Sequence, residues 1–183
     1  MNHITEVAGH YKGQCYAWDV VNEALNEDGT YRESIFYNTL GEDYIKLAFQ
    51  VASEVDPDAK LYYNDYNLES VGPKSEAAVR IVKMLQDEGI KIDGVGMQAH
   101  LIAHQAPDLK AQLAVIDSYA ATGVEVAYTE LDVRLQTPAN ETNLEWQAKV
   151  YSDVSFSSPF PYLHSISPSS FRKNSIEAKL ASK

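Results

Sequence analysis

Cysteine is almost missing from this chain. Cys15 is the single one among 183 residues, so no internal disulfide is possible and the redox compartment is left open. No run of about 18 apolar residues is available to span a bilayer. The opening MNHITEVAGH lacks the apolar stretch of a signal peptide. Basic residues are scarce, with 15 Lys and Arg against 26 Asp and Glu and a net charge of −11. That balance argues against a nucleic-acid partner and says little about a neutral ligand such as a sugar. No G-x-G-x-x-G follows an apolar run, which lowers a dinucleotide-binding reading. No His-x-His pair occurs, and neither a metal nor another cofactor is expected.

The chain does have enough apolar residues, 45% of the total, for one domain with a sizeable core. Four segments combine a strand-like apolar run with a polar end: Tyr16–Glu23, Lys60–Asp65, Asp93–His100 and Glu125–Asp132. Helix-period stretches lie between and after them. Gly41–Val55 places Tyr44, Leu47, Ala48 and Val51 on one face, and Pro73–Glu88 places Ala77, Ile81, Met84 and Leu85. Asp108–Thr122 carries Leu109, Leu113, Ile116 and Ala120, with Asp108 as cap and Gly123 as stop. Thr142–Val154 opens T-N-L-E, a capping-box pattern. Trp18 reads as core, and Trp146 as packing on the last helix.

Repeated β–α alternation implies parallel strands joined by crossovers. A doubly wound sheet and a (β/α)8 barrel both satisfy it. Each strand ends in a polar cluster: Asn22-Glu23, Asn64-Asp65, Gln98 with His100, and Glu130 with Asp132. In a barrel all four reach the rim that carries chemistry. The expected fold is therefore α/β, a partial (β/α)8 TIM barrel of about four βα units, incomplete at both ends. Residues 1–154 are read as the catalytic domain. Residues 155–183, rich in Ser and Pro, are read as a disordered or non-native extension.

Glu23 and Glu130 end the first and fourth strands, and no cation stands next to Glu23 in its own segment. Two carboxylates across a barrel mouth suit glycoside hydrolysis, one protonated to assist departure and one ionised to attack. Gaps of about 5–5.5 Å and about 6.5–9.5 Å would give retention and inversion respectively. Glu23 is expected to titrate high while Glu130 is charged.

The segments WDVVNEA, LYYNDYN, DGVGMQAHL and YTELDVR, in this order and spacing, resemble the family 10 glycoside hydrolases, chiefly endo-1,4-β-xylanases. The resemblance covers about residues 3–154. It implies retaining hydrolysis of xylan through a covalent xylosyl-enzyme, with Glu23 as acid/base and Glu130 as nucleophile. Asn22 and Gln98 would meet the sugar ring at the cleavage point. Asn64 and Tyr66 would help form the leaving-group side, with Tyr66 stacking on a sugar. His100 would bond Glu130, and Asp132 would pair with His100. The resemblance also implies xylan and xylo-oligosaccharides as partners, secretion, a monomer when complete, and no nucleic acid or membrane. The family's first three strands and its eighth are not recognisable here. A second reading is therefore a catalytically dead half-barrel, at most a weak sugar-binding module.

Overall fold

The computed structural model describes residues 2–157. Helix α1 (Asn2–His10) leads into strand β1 (Ala17–Asn22), followed by α2 (Ile35–Leu40), α3 (Asp43–Val55) and β2 (Lys60–Asp65). Then come α4 (Pro73–Asp87), β3 (Gly94–Met97), β4 (His100–Ile102), α5 (Leu109–Ala120), β5 (Glu125–Tyr128), β6 (Asp132–Arg134) and α6 (Glu141–Ser157). β1, β2, β3 and β5 form one parallel sheet in that order, and β4 pairs with β6 in a second, two-stranded one. The architecture is α/β with parallel strands joined through helices.

The side-chain period of two separates the faces of the sheet. Leu61, Tyr63, Val95, Met97, Val126 and Tyr128 enter a core shared with Phe49 of α3, Ile81 and Leu85 of α4, Ile116 of α5 and Val154 of α6. Each such side chain contributes about 1.5–3 kcal/mol by leaving water. The alternate residues Tyr62, Asn64 and Thr129 meet across the other face over two glycines. A Cβ on Gly94 would enter the Tyr62 ring, and one on Gly96 would enter the Asn64 carboxamide and stand 2.9 Å from Thr129 Cγ2.

Several expected boundaries move. The third segment stops at Met97, because Ala99 takes the left-handed φ of 59° and its N–H is claimed by Glu69 at 2.8 Å. The fourth breaks likewise between Tyr128 and Asp132. α6 is capped by Asn140, whose Oδ1 accepts from Asn143 N at 2.9 Å, and not by Thr142. It runs on through Ser157, so residues 155–157 are helical and not part of an extension. The rest of that expected extension lies outside the described residues. On α3 the buried face is Ile45, Phe49 and Ala52, while Tyr44, Leu47 and Ala48 line an open groove of about 480 Å³ beside β1. The helix thus has two apolar faces, and periodicity picked the lesser one. Trp146 is 47% exposed, and Trp18 is half-buried with Nε1 donating to Asp56 Oδ2 at 2.9 Å.

Gly96→Ala tests the close packing of the sheet face that carries Tyr62 and Asn64. The methyl displaces Asn64, and overpacking of this kind costs about 1–3 kcal/mol. Urea unfolding of the two proteins should differ by that amount; equal midpoints would mean that Asn64 has room to move.

Candidate active site

Backbone pairing continues past the ends of the strands and carries the polar clusters together. Glu23 N donates to Asn64 O at 2.9 Å, Gln98 N to Asp65 O at 3.0 Å, and Glu130 N to Gln98 O at 3.1 Å. Glu23 itself adopts a φ of 56°, uncommon for a residue with a Cβ. That turn lets Asn22 and Glu23, adjacent in sequence, meet the same side chain. Gln98 Nε2 donates to Asn22 Oδ1 at 3.3 Å and to Glu23 Oε1 at 3.1 Å.

The two glutamates are joined by amides. Asn64 Nδ2 donates to Asn22 Oδ1 and to Glu130 Oε1, both at 3.0 Å. Its Oδ1 accepts from the Thr129 hydroxyl at 2.7 Å. The series Glu23–Gln98–Asn22–Asn64–Glu130 therefore crosses the ends of all four main strands. Asn64, expected on the leaving-group side, is only 1% exposed, with its carboxamide wholly engaged in this series. All its polar atoms are turned toward these neighbours. Asn22 is exposed, and its own Nδ2 has no acceptor among the described residues.

On the opposite side of Glu130, His100 Nε2 lies 3.3 Å from Glu130 Oε2, and its Nδ1 lies 2.7 Å from Asp132 Oδ2. The β4–β6 ladder sets His100 directly opposite Asp132. Burial pulls the imidazole pKa down, but the hydrogen bond and charge of Asp132 and then the charge of Glu130 outweigh it, and the net shift is upward. Glu69 holds the preceding Ala99 N–H from inside the core, and burial raises its own carboxyl.

Asp65 departs from expectation. It points to the helix side, fully buried, accepting from Tyr63 Oη at 2.6 Å and Tyr66 N at 2.9 Å and lying 3.1 Å from Lys74 Nζ. Strand parity explains this: if Asn64 faces the cleft, Asp65 cannot. Lys74, from the first turn of α4, is buried as well, stands 3.4 Å from the centre of the Tyr66 ring and bridges to Glu27 at 3.0 Å. Tyr66 is half-buried at the edge of the cleft with one face given to that ammonium.

Arg32 was not anticipated at all. Its Nη1 donates to Glu23 Oε2 at 2.9 Å and its Nη2 to Tyr66 Oη at 2.7 Å. The Asp28-Gly29 turn, with Gly29 at φ 79°, folds the chain back so that Arg32 N donates to Ala24 O at 2.7 Å. Asp-Gly is a strong reversal signal, and it would have brought Arg32 beside Glu23 had it been followed through. The consequence overturns one expectation. Hydrogen bonds from Gln98 and then Arg32 hold the Glu23 carboxyl below its ordinary pKa; burial opposes them, and the charges of Arg32 and Lys74 reinforce them.

Half of a parallel barrel with two amide-linked carboxylates on the C-terminal rim is the arrangement of a barrel glycosidase. Comparison with known proteins gives the same class. Residues 1–157 match the model of glycosyl hydrolase family 10, and the chain belongs to that family. Endo-1,4-β-xylanase A of Humicola insolens is 66% identical over 154 residues, covering 84% of this chain and 41% of its own length. Endo-1,4-β-xylanase 1 of Gibberella zeae is 51% identical over 158 residues, covering 82% and 45%. The crystal structure of a family 10 xylanase from Bispora sp. MEY-1 with xylobiose superposes with a TM-score of 0.84 at 42% identity. It covers 86% of this chain and 49% of that one. Xylanase 10B of Thermotoga petrophila, also with xylobiose, gives 0.82 at 37% identity, covering 86% and 48%. The chain spans less than half the length of these relatives, so it is one part of a family 10 catalytic domain.

The His100 cluster has a pH signature. Because its pKa is raised on folding, the stabilising charge pairing is fully present below the unfolded value and is lost as pH rises through the folded one. Proton–carbon NMR should find His100 titrating above a free histidine, and Asp132→Asn should lower its midpoint. An unmoved midpoint in that variant would remove Asp132 as the cause.

Proposed function

We propose that, in the complete barrel, these residues catalyse retaining hydrolysis of internal β-1,4-xylosidic bonds of xylan, the reaction of an endo-1,4-β-xylanase. The observation that carries this reading is the run of amides joining Glu23 to Glu130. It ties two part-exposed carboxylates to one rim with different partners: Glu23 among Gln98 and Arg32, Glu130 between Asn64 and His100. Glu130 attacks the anomeric carbon while Glu23 delivers a proton to the departing glycosidic oxygen. Water then adds to the same carbon, its proton going to Glu23 and the Glu130 ester bond breaking. Atoms and charge balance with no metal or cofactor.

The free Nδ2 of Asn22 suits a sugar hydroxyl beside the cleavage point, where such hydrogen bonds strengthen in the transition state. Gln98 approaches the same ring. Tyr66 offers the face not covered by Lys74 to a sugar on the leaving-group side. His100, oriented by Asp132, steadies the nucleophile. Xylan is an extracellular polymer too large to enter a cell, which favours secretion. The family 10 relatives from Bispora and Thermotoga, each solved with xylobiose, support the substrate class.

The complete enzyme should be labelled at Glu130 by a 2-fluoro-xylobioside bearing a good leaving group, with peptide mapping placing the sugar within residues 126–134. A label on Glu23 or Asp132, or an inverted product by proton NMR, would sink the assignment.

One observation favours a second reading for the 183-residue chain in isolation. Neither the outer edge of β1 nor that of β5 has a neighbouring strand among the described residues, and unpaired edges favour association over catalysis. The isolated chain is expected to bind a hydrophobic dye and to release almost no xylo-oligosaccharide from xylan. A cooperative melting transition with clear product release would refute this.

A further inference from the structure

The carboxylate proposed to donate a proton is held in a setting that favours its ionised form. Arg32 stands 2.9 Å from Glu23 Oε2, and the two side chains are only 32% and 34% exposed. Arg32 is simultaneously tied to Tyr66 Oη at 2.7 Å, with its guanidinium carbon 5.4 Å from the ring centre. A guanidinium paired with a carboxylate is a charge-assisted clamp, and protonating the carboxylate removes the attraction. The charged and titratable groups around Glu23 come from each neighbouring element. They are His3 of α1 and Tyr44 of α3, which line the same pocket, Arg32 from the turn after β1, Asp65 and Tyr66 from the end of β2, Lys74 from α4, and Glu130 with His100 and Asp132 across the amide run. Among the cations of the described residues, Arg32 is the one in contact with the Glu23 carboxylate, whereas Lys74 is spent on Asp65 and Glu27.

We propose that Arg32 is a positioning residue that clamps Glu23 as a carboxylate while the leaving-group side is empty, and that a sugar seated against Tyr66 draws the clamp away. This rests on the xylanase reading above and deepens it. The retaining cycle needs Glu23 protonated when a sugar occupies that side and ionised after the sugar has left. A clamp sensitive to occupancy follows that alternation. Sugar hydroxyls beside Tyr66 supply acceptors for the Nη groups, so the guanidinium exchanges a charged partner for neutral ones and remains protonated throughout. Glu23 then takes up a proton from solvent and delivers it to the glycosidic oxygen. Once the cleaved sugar departs, Arg32 returns, and Glu23 is a carboxylate when water must be deprotonated.

The Arg32 side chain is not needed to shape its own loop. The Arg32 N to Ala24 O bond and the Leu25–Tyr31 bridge hold that loop through the backbone. Arg32→Met keeps the length of the side chain and removes the charge, and Arg32→Lys keeps the charge and removes the fork. The first readout is the carbon NMR titration of labelled glutamates in the full 183-residue chain, with Glu23 assigned by its disappearance in Glu23→Gln. Arg32→Met should raise the Glu23 midpoint and Arg32→Lys should raise it less. The second readout is the pH profile of the complete enzyme, which applies even where the isolated chain gives no resolved spectrum. Its alkaline limb in kcat/KM should move to higher pH in Arg32→Met. With an activated aryl xylobioside, whose turnover is limited by loss of the enzyme-bound sugar, the acid limb of kcat should move up as well. Xylobiose should raise the Glu23 midpoint of the complete parent enzyme and leave that of its Arg32→Met variant unmoved. Limbs that stay in place while activity falls uniformly would make Arg32 merely structural and overturn the proposal. Failure of the sugar to label Glu130 would overturn the xylanase reading while leaving the Glu23 titration intact, so the two can fail separately.

Discussion

One buried carboxamide sets the geometry of the rim. Glu130 carries a carboxylate that only accepts hydrogen bonds, so Asn64 must turn its Nδ2 toward it. That leaves Asn64 Oδ1 facing Thr129, whose hydroxyl donates to it, and the second amide proton facing Asn22. Every polar atom of the Asn64 side chain is then spoken for, and because Asn64 itself is out of water each bond is costly to lose. Rotation of Asn64 would break its three hydrogen bonds, to Asn22, Glu130 and Thr129, at once. Gly96 takes part through what it omits, because a methyl group there would occupy the position of the carboxamide.

The two faces of the sheet solve different electrostatic problems. On the helix side, Asp65 and Lys74 are both out of water, and the pair is tolerated because Tyr63, Tyr66 and Glu27 supply further partners. Breaking such a pair from one side costs about 3–5 kcal/mol, since it strands a charge. On the cleft side the charges are half-exposed and can exchange partners at low cost. Tyr66 belongs to both regions: its ring rests on Lys74 and its hydroxyl accepts from Arg32. The buried half of this network supports the half-exposed one.

What the sequence made legible was the set of features governed by short-range rules. All four main strands lie where apolar runs end in polar pairs, and Asp108 caps α5 by accepting from Ala111 N at 2.8 Å. Glu23, Gln98, Asn22 and Glu130 come together because parallel strands of one sheet share a rim. The misses differ in range, from neighbouring residues to partners thirty positions apart. Asp65 was grouped with Asn64 by adjacency, although strand parity sends neighbours apart. Arg32 lies nine residues beyond Glu23 and returns through the Asp28-Gly29 turn, a local signal that hydrophobic periodicity does not register. The break after Met97 depends on Glu69, thirty positions upstream, reaching Ala99 through the core.

The left-handed turn at Glu23 has a consequence for how the site is written. In an extended strand, two consecutive letters address opposite surfaces, as Asn64 and Asp65 do. Reversing the backbone hand at Glu23 gives adjacent letters a single address, since Asn22 and Glu23 both bind the one amide of Gln98. The dipeptide Asn-Glu thereby becomes an indivisible word. Inserting or deleting a single residue next to it would not shift the site along the chain but would scatter its two halves to opposite sides of the wall.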